Sequence, residues 1–129
     1  MVVHKAILVD SDILIKAYRG DKTKQKNLKF IKDKYCISVI TACELLSGAK
    51  SINQRREFNK VLRYYYISFI DEKISDIAFT LFKKYSFTKE IKISGAFIAA
   101  TAISNNLFLY TDNIKDFDFI DKIVFYKEK

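Results

Sequence analysis

Short apolar runs alternate with longer amphipathic stretches along almost the whole chain. AILVD (6–10), YCISV (35–39), YISFI (66–70), LFLYT (107–111) and KIVFY (122–126) are brief and mostly apolar. That is the pattern of strands covered on both faces of a parallel sheet. The stretches between them follow helical spacing. Ile74, Ile77, Ala78, Leu81, Phe82 and Tyr85 recur every three or four residues and predict one buried stripe on a helix within DEKISDIAFTLFKKYSF (71–87). SDILIKAYRGD (11–21) predicts a short helix closed near Gly20, and KTKQKNLKFIKDK (22–34) a strongly basic one. In TACELLSGA (41–49), Thr41 is placed to open a helix and Gly48 to end it. NQRREFNKVLRYY (53–65) is amphipathic with a basic outer face. SGAFIAATAISN (94–105) is apolar nearly all round, which predicts a buried helix with Ser94 as its cap.

Strands alternating with helices predict the α/β class: a three-layer α/β/α sandwich with a central, mostly parallel sheet of about five strands. No repeat, low-complexity tract or linker interrupts the pattern, so residues 1–129 read as one domain.

Charge changes the picture more than composition does. Half the residues are hydrophobic and 29% are charged, the balance of a folded chain. Twenty-three Lys and Arg against fifteen Asp and Glu leave a formal charge of +8, which makes RNA or DNA a natural partner, although a basic surface alone accounts for it too. Arg55, Arg56, Lys60 and Arg63 gather on one predicted helix beside Tyr64, Tyr65 and Tyr66. Cations there can grip phosphates and rings can stack on bases, while the tyrosines also suit packing at a strand entrance or a dimer interface. Cys36 and Cys43 sit in apolar surroundings without CxxC spacing, and His4 is the only histidine, which argues against zinc and for a reducing compartment. No apolar run reaches the roughly 18 to 20 residues that span a bilayer, and MVVHKAILVD carries no signal cleavage pattern. The expectation is a cytoplasmic protein with no membrane contact.

In an open parallel sheet, ligand sites form beyond the carboxyl ends of the strands. Asp10 ends the first apolar run and Asp112 follows the fourth, on what should be one rim. Glu44 is the only charge between Tyr35 and Ala49, in the first turns after the second strand. A buried carboxylate needs a basic partner, a proton or a metal ion. Asp10, Glu44 and Asp112 together would form an oxygen-rich cluster suited to Mg²⁺ or Mn²⁺. In a basic protein such metals would activate water and stabilise a leaving oxygen while surface cations hold a polyanion. Simpler roles stand beside these: Glu44 paired with a lysine or facing solvent, Asp112 capping the short helix NIKDF, Asp12 capping the helix after the first strand, and Asp116 solvated.

The order and spacing of LVDSDILI, SVITACELLSGA, GAFIAATAISNNLFLYT and TDNIKDF resemble the PIN-domain ribonucleases, in particular the VapC-type toxins of VapBC toxin–antitoxin pairs, over nearly the whole chain. The resemblance implies a Mg²⁺-dependent endoribonuclease that hydrolyses RNA phosphodiesters, often in transfer RNA, with water as nucleophile. It implies Asp10 and Glu44 as acids around the metal and Ser11 and Thr111 as supporting hydroxyls. It implies one of Asp112, Asn113 and Asp116, in TDNIKDF, as the last corner. A homodimer and a small VapB-like antitoxin are implied as well. The chain departs from the family pattern at Gly95, where an aspartate usually precedes the A-[LF]-I-A-A run. Loss of that ligand implies reduced or lost activity, with Glu90, five residues upstream, too far along to replace it without a different loop path. Two other functions remain: a degenerate PIN fold that binds RNA or antitoxin without cutting, and a haloacid dehalogenase-like phosphatase with Asp10 as nucleophile, for which ILVDSDIL supplies the Asp-x-Asp strand end.

Overall fold

The protein is described from a computed structural model over residues 6–129. In chain order its elements are β1 (Ile7–Val9), α1 (Ser11–Tyr18), α2 (Lys22–Phe30), β2 (Tyr35–Ser38), α3 (Val39–Ser47), α4 (Ile52–Leu62), β3 (Tyr66–Ser68), α5 (Glu72–Tyr85), α6 (Ile93–Ser104) and β4 (Phe108–Tyr110), followed by a 3₁₀ turn (Ile114–Asp116). The strands form one sheet in the order β3-β2-β1-β4, and all three pairings are parallel.

Side chains alternate across the sheet because successive strand residues face opposite ways. Ile7, Val9, Ile37 and Tyr110 join one core with Ile13 and Leu14 of α1, Leu28 of α2, Ala42 and Leu45 of α3, and Phe58 and Leu62 of α4. Leu8, Cys36 and Leu109 face the other way, onto Ile74, Ala78 and Tyr85 of α5 and the alanine-rich stripe of α6. The three-layer α/β/α sandwich expected from the sequence is therefore present. Small residues on α6 explain its depth: Ala99 and Ala100 are wholly buried and let the helix lie close to the sheet.

Several local expectations change. KIVFY does not form a fifth strand. It touches β4 at one parallel bridge, Leu109 to Phe125, and the chain then leaves the sheet for α2, where Tyr126 Oη and Lys129 N both donate to Asn27 Oδ1. Helix α3 begins at Val39, before Thr41, because the Ser38 hydroxyl accepts from Ile40 N and caps it. Helix α6 begins at Ile93 with no side-chain cap, so Ser94 lies inside its first turn. Cys36 is buried as expected, but Cys43 is exposed. Gly20 does close α1: its φ of +104° is a conformation that side chains disfavour. His4 lies outside the described residues. Among the described residues no helix is long and apolar enough to cross a membrane.

Candidate active site

Because all the strands run parallel, the residues after β1, β2 and β4 come to one rim of the sheet. Asp10 is the N-cap of α1. One carboxylate oxygen accepts from Ser11 N at 2.8 Å and the other from Thr111 Oγ1 at 2.8 Å. Asp10 N donates to Tyr110 O at 2.9 Å, which fastens the ends of β1 and β4 together. Ser11 Oγ donates to Glu44 Oε1 at 3.2 Å, linking α1 to α3. Four of the residues singled out in the sequence, Asp10, Ser11, Glu44 and Thr111, thus form one hydrogen-bonded chain.

Asp10 is only 5% exposed. Burial, together with the negative charges of Asp12 and Glu44, pushes its carboxyl up to about 6, against the opposing pull of the hydrogen bonds from Thr111 and Ser11. The rim carries a desolvated acid short of positive charge.

Beside this chain lies a cavity of about 150 Å³, with room for several waters. Asp10, Ser11 and Glu44 line it, as do Ser94, Gly95 and Ile98 of α6 and Asn113 and Asp116 after β4. Lys89, Glu90 and Lys92, on the connection from α5 to α6, also line it, as does Lys115, with Ile91, Phe117 and Phe119 as apolar walls. Glu90, whose backbone is left-handed at φ +56°, is among these lining residues.

Asp112 is not brought to the cavity, contrary to the expectation that it holds metal. Lys16 Nζ lies 2.6 Å from Asp112 Oδ2 and Lys24 Nζ 3.0 Å from Oδ1. Burial alone would raise this carboxyl, but the two cations outweigh it and hold the group below the ordinary carboxylate range. Lys24 is nearly enclosed and also pairs with Glu128, which accepts from Tyr110 Oη as well. Asp12 accepts from Asp112 N and Ile13 N, both at 2.9 Å, and burial raises its carboxyl. Neither acid caps a helix: Asp10 does so for α1, and the 3₁₀ turn has no side-chain cap. Arg55, Arg56 and Lys60 are exposed on α4 and Arg63 is exposed at its C-cap, and none lines the cavity. Arg55 and Arg56 border a separate depression with Leu46, Ile52 and Asn59. Tyr65 packs on Tyr35 at the entrance to β2, ring centroids 5.1 Å apart.

Neither backbone nor packing asks for glycine at position 95. Its φ is not left-handed, and an added Cβ would meet only Phe117 Cε1, at 3.9 Å. The space beside Gly95 is open and belongs to the cavity.

The donors suit a hard cation. Apart from the lysines, the polar groups lining the cavity are carboxylates, hydroxyls and the Asn113 amide, with no thiolate or imidazole. Desolvated Asp10 lacks the positive charge that such an ion brings. Among the described residues no three His, Cys, Asp or Glu side chains converge into a ready cage.

The PIN domain family matches residues 7–122 of the chain. Ribonuclease VapC1 of Methanocaldococcus jannaschii is 33% identical over 114 residues, covering 87% of this chain and 79% of the relative. A toxin–antitoxin complex from Klebsiella pneumoniae contains a chain 31% identical to this one with a TM-score of 0.79, covering 95% of this chain and 99% of that one. VapBC2 from Rickettsia felis, bound to a DNA fragment from its promoter, shares the fold at a TM-score of 0.81 and 23% identity, covering 95% and 98%. These matches leave no support for the phosphatase reading of Asp10. The rim of joined acids and hydroxyls, the family match across 116 residues and the ribonuclease relative agree, and the chain belongs to the PIN-domain family, among its VapC-type members.

Proposed function

We propose that this protein is a Mg²⁺-dependent endoribonuclease toxin of the VapC type, with Mn²⁺ as an alternative ion. The observation that carries the reading is the desolvated Asp10 carboxylate, held by Thr111 and Ser11 and linked through Ser11 to Glu44, at the edge of a cavity that also holds Asn113 and Asp116. Asp10, Glu44 and Asp116 would hold the metal, with Asn113 beside them. When bound, the ion supplies an activated water and neutralises charge on the leaving oxygen.

The chain's own residues prepare that chemistry. Thr111 and Ser11 N fix both oxygens of Asp10, and Ser11 Oγ orients Glu44, so neither acid must reorganise when substrate arrives. The lysines at the cavity offer contacts to RNA phosphates on either side of the bond cleaved. In the hydrolysis, water adds to phosphorus, one P–O bond breaks, and the departing oxygen takes a proton. Transfer RNA is the substrate class that the family resemblance names. A small VapB-like antitoxin and a second copy of this chain are the expected partners, in the cytoplasm.

Gly95 leaves α6 without the carboxylate expected there. Unless another group supplies that charge, metal occupancy and turnover fall. The second reading, a PIN fold that binds RNA or antitoxin without cutting it, rests on this position. The test is Mg²⁺-dependent cleavage of RNA by the chain, by Asp10→Ala and by Gly95→Asp. Cleavage that Asp10→Ala abolishes supports the nuclease. Cleavage that survives Asp10→Ala moves the site elsewhere. RNA binding without cleavage in both the chain and Gly95→Asp favours the binding protein.

A further inference from the structure

We infer that Glu90 delivers to the cavity the carboxylate that α6 lacks at position 95, so that the acid has moved from helix to loop. The inference rests on the reading of the cavity as a metal-dependent nuclease site. Three observations carry it.

The first is space. Gly95 borders the cavity, and the only atom near its absent Cβ is Phe117 Cε1 at 3.9 Å. A side chain arriving from another wall therefore meets no obstruction from position 95.

The second is the path of the connection from α5 to α6. Lys89 N donates to Tyr85 O at 2.8 Å, extending the end of α5, and Ile91 is buried in the core. Between these two anchors, Glu90 takes a φ of +56° and lines the same cavity as Gly95, Asp10 and Glu44. Glycine and asparagine are the commoner occupants of that backbone conformation; here it carries an acid.

The third is availability. Among the described residues, no hydrogen bond or ion pair engages the Glu90 carboxylate. Asp112 and Asp12, the other acids of the rim, are both held by partners. Lys89, Lys92 and Lys115 share the cavity without pairing to Glu90. Glutamate has the same donor oxygens as aspartate on an arm longer by one methylene, which suits delivery from a loop. The lining of the cavity then includes four acids, Asp10, Glu44, Glu90 and Asp116, which a bound ion would draw together.

The experiment is Mn²⁺ binding, followed by electron paramagnetic resonance and calorimetry, without RNA. The proteins are the full chain, Glu90→Gln, Gly95→Asp, the double variant and Asp10→Asn. Glu90→Gln is expected to weaken Mn²⁺ binding by about tenfold or more, the usual scale for disturbing a metal's ligand shell. Gly95→Asp in the Glu90→Gln background should restore it, while Gly95→Asp alone changes little. Glu90→Gln binding as tightly as the full chain overturns the inference. Asp10→Asn separates the two claims: if it weakens binding and Glu90→Gln does not, Glu90 alone is misassigned. If Asp10→Asn has no effect, the metal site itself is misplaced and the inference falls with it.

Discussion

Thr111 Oγ1 donates to Asp10 Oδ2 at 2.8 Å, joining two residues 101 positions apart at the ends of neighbouring strands. The contact does two things at once. It fixes one oxygen of the buried acid and favours its ionised form, while burial and the charges of Asp12 and Glu44 disfavour that form more strongly. The balance leaves a preorganised carboxylate that costs the metal-free protein stability, a common arrangement where function sets the local chemistry.

That cost has a definite pH dependence. The Asp10 carboxyl stands at about 6 in the folded protein against 3.8 unexposed to these influences. The folded state therefore holds the proton more tightly. This favours folding fully below about 3.8, and the benefit disappears as pH rises through about 6. The shift corresponds to a penalty on the order of 3 kcal/mol at pH 8. Asp10→Asn should stabilise the metal-free protein at pH 8 by about 1–2 kcal/mol, because the amide loses part of the hydrogen bonding, and should gain nothing at pH 4. Urea unfolding in a chelator checks it, and an equal effect at both pH values refutes it.

Positions 90 and 95 should both show stability exchanged for chemistry. Glu90→Gly relieves a left-handed side-chain-bearing residue, with an expected gain of about 1 kcal/mol. Gly95→Ala puts a methyl into open space in the first turn of α6, with a gain of about 0.5 kcal/mol. Thermal unfolding measures both. Of the two, only Glu90→Gly should also weaken Mn²⁺ binding.

Lys24 is a structural cation. Its side chain is 8% exposed and its amine lies between Asp112 and Glu128, so it ties α2 to the segment after β4 and to the chain's end. Both acids remain about a third exposed, which lets water compensate part of any loss. Lys24→Met should destabilise the protein by about 1–2 kcal/mol, measured by urea unfolding. Added salt should narrow the difference. Unchanged stability would mean that Lys16 alone suffices for Asp112.

The layered fold was legible because burial on both faces of a parallel sheet leaves apolar runs, and α5 carries a clean helical stripe. KIVFY carries the same signal, yet its end is captured by Asn27, a residue whose role cannot be read from a basic helix pattern. Asp10, Ser11 and Thr111 were legible because each follows or opens an element at the sheet's carboxyl rim, and Glu44 because it is the only charge between Tyr35 and Ala49. Asp112 stood out by charge, but its partners Lys16 and Lys24 lie 96 and 88 residues away, and pairing across such distances leaves no local pattern. Glu90 is five residues from Gly95 in sequence, and that separation carries no sign of the left-handed backbone at Glu90 or of its place in the cavity lining.

The same limitation applies to the RNA path. Sequence clustering points to Arg55, Arg56, Lys60 and Arg63, but the structure puts Lys89, Lys92 and Lys115 in the lining of the acid cavity and none of the quartet there. Each phosphate contact to single-stranded RNA contributes about 0.7 to the slope of log affinity against log salt. Replacing the three cavity lysines with alanine should therefore lower that slope by about 2. Replacing Arg55, Arg56, Lys60 and Arg63 should leave most of it, since cations outside the cavity lining meet only RNA that extends beyond the cavity. Fluorescence anisotropy of a labelled single-stranded RNA, in chelator to prevent cleavage, gives both slopes. If the α4 variant loses the larger part, the RNA runs along that helix and the cavity lysines serve the acids instead.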